Sequence, residues 1–405
     1  MNIFKRASQP LIDIALNISP AVLIAGARQI GKSTLVSQMN REYIVMDDIT
    51  QLAAATHDPQ GYTERLTKPI TIDEIQKIPQ LLSPIKLFID KQRRNGDFLL
   101  TGSANVLDLN KSEESLAGRL IELTMYPFSA KEKNQDIKTN SVDQLFTKKI
   151  LDLKINKKHH NLVSKFVLEG GYPVAFMLST AKERFLWFNS YISTYIERDI
   201  RSIGELRDLD NFIRFFNVIA PRTGTLLNKA NISNDTKLTA PTVDNYISLL
   251  EKVYQIHLLK PYQENIGKTF TKSPKVYLTD SGIASHILGV REEKDLTQSK
   301  YRGTLYETFV FTEVLKHINY SQHIMQLFYY RTQDKKEIDF IIKKQDEILA
   351  IEVKSTSSVN IKDFKHIIDF QSRSQYKITG IVFYNGDKIV AFADNLFAIP
   401  IAFFL

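Results

Sequence analysis

The run Gly26-Ala27-Arg28-Gln29-Ile30-Gly31-Lys32-Ser33-Thr34 constrains this chain more than any other stretch. It follows Pro20-Ala21-Val22-Leu23-Ile24-Ala25, an uninterrupted apolar segment that reads as a short buried strand. The two glycines let the backbone turn tightly enough to aim N–H groups at phosphate oxygens. In a G-x4-G-K-S loop of this kind, Lys32 contacts the β- and γ-phosphates and Ser33 holds Mg2+. The helix expected from Thr34 to Met39 adds its positive end. Gly26 to Thr34 is therefore the expected ATP-binding loop. The strand before it and the helix after it argue against a mere glycine turn.

Forty residues beyond Ser33, Lys68-Pro69-Ile70-Thr71-Ile72-Asp73-Glu74 reads as a second buried strand ending in two carboxylates. Asp73 at the strand end would bind Mg2+ through water. Glu74 is placed to polarise the attacking water as a general base. A third strand, Asp97-Phe98-Leu99-Leu100-Thr101-Gly102-Ser103, ends in hydroxyls that could sense the γ-phosphate, although polar residues end many strands.

The P-loop, Asp73-Glu74, the Leu-Leu-Thr-Gly-Ser strand and Ser115-Leu116-Ala117-Gly118-Arg119 together resemble prokaryotic AAA-type ATPases of the archaeal-ATPase group. The resemblance implies that Thr101 or Ser103 is a sensor of the bound nucleotide. It also implies that Arg119 is an arginine finger reaching the nucleotide of a neighbouring subunit, hence a homo-oligomer. A surface salt bridge from Arg119 to Glu113, Glu114 or Glu122 accounts for the same residue equally well. Gly170-Gly171-Tyr172-Pro173 resembles the Gly-x-Pro element that related signal-transducing ATPases bring to the phosphates, with Pro173 in that role. A helix-ending turn explains it nearly as well.

Beyond the ATPase core, Ala130 to Lys165 is polar and basic and reads as a loop-rich passage into a helical lid. Residues 183–220 are apolar at helical spacing (Phe185, Phe188, Ile192, Tyr195, Ile196) and predict core helices. A short helix is expected over Thr225 to Asn234 and an amphipathic one over Thr242 to Gln255, with Val243, Tyr246, Ile247, Leu250, Val253 and Tyr254 on one face. Strands over Ile256 to Tyr262 and Lys275 to Thr279, joined around Gly267, complete a winged-helix pattern. Its outer helix face would present Thr242, Asp244, Asn245, Ser248 and Lys252, and its hairpin tip Lys268, Lys272 and Lys275. DNA contact there and a purely structural packing role both fit.

The last hundred residues carry a second constellation. Thr304 to Ile318 predicts an amphipathic helix with Glu307. Glu337 to Lys343 and Ile348 to Lys354 predict strands joined by Lys344-Gln345-Asp346-Glu347. Pairing Lys343 with Ile348 sets Asp339 opposite Glu352, and strand alternation puts Lys354 on the same face. Opposed carboxylates destabilise a hairpin unless a cation lies between them. Asp339 and Glu352 would then ligate Mg2+, Glu307 would approach from the helix, and Lys354 would activate water or stabilise charge on phosphorus. The order Glu…Asp…Glu-x-Lys resembles the PD-(D/E)xK nuclease fold, including archaeal Holliday-junction resolvases, although the proline of that motif is absent. A solvated hairpin face, with Lys354 neutralising Glu352, is the plainer alternative.

Composition narrows the chemistry. The chain of 405 residues has no cysteine, which removes disulfides, thiolate nucleophiles and Cys-ligated metals. Its eight histidines are scattered, so a histidine metal site is not expected. No apolar run reaches membrane-spanning length and the first residues lack a signal-peptide core, so a cytoplasmic protein without a membrane partner is expected. The net charge is +8, and residues 211–290 carry nine Lys/Arg against five Asp/Glu, half of the excess. Any non-specific attraction for nucleic acid therefore belongs to that segment.

The fold expected is α/β: a P-loop AAA-type core over 1–130, a helical lid over 131–204, a winged helix over 205–292 and a restriction-endonuclease-like α/β domain over 293–405. As a whole the chain resembles AAA-family ATPases with a C-terminal domain of unknown function and a nuclease-like core. The resemblance implies an ATPase that takes ATP and Mg2+ and yields ADP. Its nucleotide state would be coupled to DNA engagement through the winged helix and to Mg2+-dependent cleavage by the C-terminal domain. The alternative is an ATP-dependent switch without nuclease activity, whose last domain only binds a protein or nucleic-acid partner. A third reading is a regulatory DNA binder acting through the winged helix.

Overall fold

The computed structural model describes residues 4–103, 116, 118–196, 208–263 and 273–405. The described residues form two compact units. One draws on Met1–Pro127, Tyr191–Arg207 and Lys252–Tyr254, the other on Phe128–Ser190, Asp208–Glu251 and Gln255–Leu405. The chain thus passes from one unit to the other at five places.

The first unit is built on five parallel strands, β1 (Ala21–Ala25), β2 (Glu42–Val45), β3 (Ile70–Asp73), β4 (Phe98–Gly102) and β5 (Leu120–Thr124), in the order β2-β3-β4-β1-β5. The three inner strands are buried along their whole length, and β1 (Ala-Val-Leu-Ile-Ala) accordingly reads as a continuous apolar run. Leu23, Ile72, Leu100, Ile85 and Ile89 lie in one core cluster beneath them. β1 ends at Gly26, whose φ of +150° belongs to glycine; a Cβ there would lie 2.2 Å from the Met125 carbonyl oxygen. The following helix is Lys32–Val36, two residues earlier and shorter than expected.

In the second unit, β6 (Thr225–Leu226), β7 (Ile256–Leu259) and β8 (Lys275–Leu278) form an antiparallel sheet, order β6-β8-β7. Helix Leu209–Ile219 precedes β6, and helices Lys229–Thr236 and Ala240–Lys252 lie between β6 and β7. Val243, Tyr246, Ile247 and Leu250 are buried, as the helical spacing required. The helix expected from Thr225 begins only at Lys229, because Thr225 and Leu226 pair with β8 and Asn228 caps the helix by accepting from the Asn231 N–H. Gly267, Lys268 and Lys272 lie outside the described residues. Lys275 was expected at an exposed tip, and it is instead 1% exposed on β8.

The stretch 130–165 is also more ordered than its polarity implied. Short helices Ala130–Lys133, Ser141–Thr147 and Lys157–His160 start at Ser129, Asn140 and Asn156, whose side chains accept from backbone N–H groups of the first turn. The capping pattern Ser129-x-x-Glu132 is the local signal for the first of them.

The last hundred residues form a six-stranded mixed sheet: β9 (Gln326–Arg331), β10 (Glu337–Lys344), β11 (Glu347–Lys354), β12 (Lys377–Tyr384), β13 (Val390–Ala393) and β14 (Leu396–Pro400), in the order β13-β14-β12-β11-β10-β9. Lys343 pairs with Ile348 in the register derived from alternation. The turn is tighter than expected, only Gln345 and Asp346, with Gln345 at φ +52°. Helix Arg302–Asn319 packs on β11.

Candidate functional site

Three neighbouring strands deliver the N-terminal site. β1 feeds the glycine loop, β3 ends in Asp73 and leads into Glu74, and β4 lies between them with Thr101 beside Ile24. Lys32 is buried, and its Nζ donates to the Gly26 and Ala27 carbonyl oxygens at 2.8 Å each, closing the loop on itself. Arg6 steadies the loop by donating to the Ile30 and Tyr126 carbonyl oxygens, both at 2.6 Å. Asp73 is 1% exposed; Oδ1 accepts from the Thr101 hydroxyl and Oδ2 from the Tyr43 hydroxyl at 2.6 Å. Burial, together with that carboxylate, pushes the Tyr43 hydroxyl pKa up. The Thr101 oxygen also accepts from the Glu74 N–H at 3.1 Å. Glu74 sits at φ +61°, where its carboxylate accepts from Gln76 and lies 3.8 Å from the Arg28 guanidinium. Gln76 also donates to Ser103 Oγ at 3.0 Å.

This donor set fits a nucleotide with a hard divalent cation. The Ser33 hydroxyl and the Asp73 carboxylate are oxygen ligands of the type Mg2+ takes. The glycine at position 26 leaves the loop backbone close to Met125 with no room for a side chain.

A second cluster forms in the C-terminal half, and its composition differs from the expected one. Glu307 projects from helix Arg302–Asn319, Glu337 and Asp339 from β10, and Glu352 and Lys354 from β11. Into them reaches Lys275 of β8, with Nζ 2.6 Å from Glu337, 3.6 Å from Glu307 and 3.7 Å from Asp339. Tyr277, on the same face of β8, donates to Glu307 Oε1 at 2.6 Å and stacks on Phe311 with ring centres 4.0 Å apart. Asp339 Oδ2 accepts from the Val353 N–H at 2.9 Å, and Glu352 pairs with Lys354 at 3.0 Å. Burial, and after it the charge of Asp339, raises the pKa of both Glu307 and Glu352. Burial alone would lower that of Lys275, but Glu307, Asp339 and Glu337 outweigh it and hold it up.

Asp339 and Glu352, expected to ligate Mg2+ with Glu307 beside them, lie 3.7 Å from the Lys275 ammonium and 3.0 Å from the Lys354 ammonium respectively. Among the described residues no group of three or more His, Asp or Glu side chains is arranged to hold a metal ion.

Comparison with known proteins bears on the first of these sites. Residues 19–134 match a family described as an AAA domain. That match marks the N-terminal part as ATPase-like. Residues 160–294 and 302–404 match two families described as domains of unknown function, DUF8612 and DUF4143. An uncharacterized protein of Mycobacterium tuberculosis is 26% identical over 411 residues, spanning 99% of this chain and 84% of its own length. One of Haemophilus influenzae is 27% identical over 362 residues, 82% of this chain and 81% of its own. One of Methanocaldococcus jannaschii is 25% identical over 289 residues, 63% of this chain and 59% of its own.

Within the AAA domain, Arg119 donates to Asp90 at 2.5 Å. Glu122, one of its expected partners, accepts from the Tyr254 hydroxyl at 3.4 Å, and Glu113 and Glu114 lie outside the described residues. Pro173 opens helix Pro173–Met177 in the second unit. The preceding Gly170-Gly171 pair is shaped by a buried acid: Gly171 N–H donates to Asp280 Oδ2 at 2.7 Å. The sequence gives no signal for Arg6 or Tyr43, nor for the contact of the loop residue Arg28 with Glu74. Each acts across 24 residues or more, and no local spacing marks such a contact. Gln76 had a signal, its position two residues beyond Glu74. No helix among the described residues is long and apolar enough to cross a membrane.

Proposed function

We propose that this protein binds and hydrolyses ATP at the glycine loop of its AAA domain and uses the nucleotide state as a switch on its second unit. The observation that carries the reading is the alignment of Lys32, Asp73–Glu74 and Thr101 at the carboxyl ends of β1, β3 and β4. Lys32 would leave the Gly26 and Ala27 carbonyls for the β- and γ-phosphates. Ser33 and Asp73 would hold Mg2+, which supplies charge neutralisation on the phosphates. Glu74 would take the proton of the attacking water, and Thr101 positions both acids by bonding to Asp73 and to the Glu74 N–H. Residues Ala27 to Ile30 and Thr34 would contribute the remaining loop contacts, and Ser103 acts through Gln76. Five chain crossings between the units give a change at the loop several covalent routes outward.

Steady-state ATP hydrolysis and nucleotide binding test this directly. Wild type is expected to hydrolyse ATP with Mg2+; Lys32→Ala loses binding, while Glu74→Gln keeps binding and loses turnover. A wild-type protein that neither binds nor turns over ATP, or a Glu74→Gln variant as active as wild type, would refute it.

DNA engagement is the second reading. Three helices with a three-stranded antiparallel sheet favour it, with half of the net charge in residues 211–290 and exposed Lys229, Lys237, Asp244 and Asn245. Lys229 is already paired with Asp244 at 2.6 Å, which reduces what it offers a phosphate. Duplex DNA binding that weakens steeply with salt and with Lys237→Ala is the expected signature; affinity indifferent to salt would exclude it.

A further inference from the structure

We propose that Lys275 is the resident cation of the C-terminal carboxylate cluster, occupying the place a divalent metal would take and tying β8 to the terminal sheet. The proposal concerns a site separate from the ATP loop and stands or falls independently of it.

Three observations support the assignment. First, a lysine that is 1% exposed would normally be expelled from the interior, and its burial is tolerated only where charge is matched. Its Nζ lies within 4 Å of Glu307, Glu337 and Asp339, residues from a helix and a strand well separated in sequence. Second, the carboxylates are otherwise committed. Glu337 also pairs with Arg331, Glu307 accepts from Tyr277, Asp339 accepts from the Val353 N–H, and Glu352 is held by Lys354. Four acids thus face three basic side chains, and the charge a divalent ion would have to balance is largely gone. Third, the approach is fixed by packing. Tyr277 is fully buried against Phe311 on the face of β8 that carries Lys275, and Gly224 lies close enough that an added Cβ would sit 3.0 Å from Glu307 Oε1. A metal ion entering the cluster would have to share a low-dielectric space with the ammonium, and like charges at that range exclude one another.

The consequence is that β8 and the terminal sheet are held together by an internal salt cluster that asks for no metal. Removing the lysine leaves three carboxylates facing one another, the arrangement that does recruit a divalent ion.

The test uses the full chain without nucleotide and Mn2+ as the probe, with free Mn2+ read by electron paramagnetic resonance and melting followed by fluorescence. Wild type and Asp339→Asn are expected to bind the same number of Mn2+ ions. Lys275→Met is expected to melt below wild type and to recover as Mn2+ is added, a recovery that disappears in Lys275→Met/Asp339→Asn. A wild-type Mn2+ ion that Asp339→Asn removes would overturn the proposal, as would a Lys275→Met protein that melts like wild type and ignores Mn2+. Should Lys275→Met fail to fold, the wild-type and Asp339→Asn comparison decides alone.

Discussion

Replacing His317 with phenylalanine probes how tightly the second unit is closed around its long helix. His317 lies in the last turn of helix Arg302–Asn319, is 5% exposed and stacks near Phe404 with ring centres 5.9 Å apart. Its Nε2 is buried without a hydrogen-bond partner. Burial first, then the ammonium groups of Lys131 and Lys316, depress its pKa to about 3 from 6.5. The folded state therefore keeps the imidazole neutral in a range where the unfolded chain takes up a proton. With the folded pKa below the unfolded one, the stability is fully present above about pH 6.5 and drains away as pH falls toward the folded value. Between pH 7 and about pH 4.5 the loss from this one residue is about 2–3 kcal/mol. Trp187, the single tryptophan, lies in the same unit, so its fluorescence during urea denaturation reports the transition of interest. His257 and His286, each pushed down to about 4, add acid sensitivity in the same direction, but they do so equally in both proteins. The quantity to compare is each protein's stability difference between the two pH values, from which any packing cost of the larger ring cancels. The phenylalanine variant should lose about 2–3 kcal/mol less than wild type. Equal losses in the two proteins would refute a neutral, desolvated His317.

Two further substitutions address other contacts. Thr101→Val keeps the shape of a fully buried side chain but strips the hydroxyl that bonds Asp73 and the Glu74 N–H; ATP binding should persist while kcat falls by about tenfold or more, and an unchanged kcat would count against positioning through Thr101. Gly170→Ala places a Cβ 2.1 Å from Asp280 Oδ1 at φ +64°, ψ −159°, a conformation nearly restricted to glycine; a loss of about 2 kcal/mol or more in the Trp187-monitored transition is expected, and a neutral result would contradict the close approach.

Much of the AAA domain was legible because its chemistry is sequential. The strand, glycine loop and lysine are contiguous, and Asp73 ends a buried strand that leads directly into Glu74. The C-terminal hairpin was legible for a similar reason. Side-chain alternation has a period of two, so one pairing sets all the others, and Lys343 does face Ile348. Charge alone makes the stretch 130–165 look loose, whereas the side-chain caps at Ser129 and Asn140 start its helices.

What composition and spacing determined, then, was which residues could bear charge and on which face of a strand or in which loop they lie. Tertiary structure decided which charges meet. Tyr43 reaches Asp73 across 30 residues, Arg119 donates to Asp90 across 29, and Lys275 leaves its expected exposed tip for carboxylates up to 64 positions later. The physical reason is that local pattern records the periodicity of burial, while electrostatic partnership depends on distances that only the packing of separate elements creates.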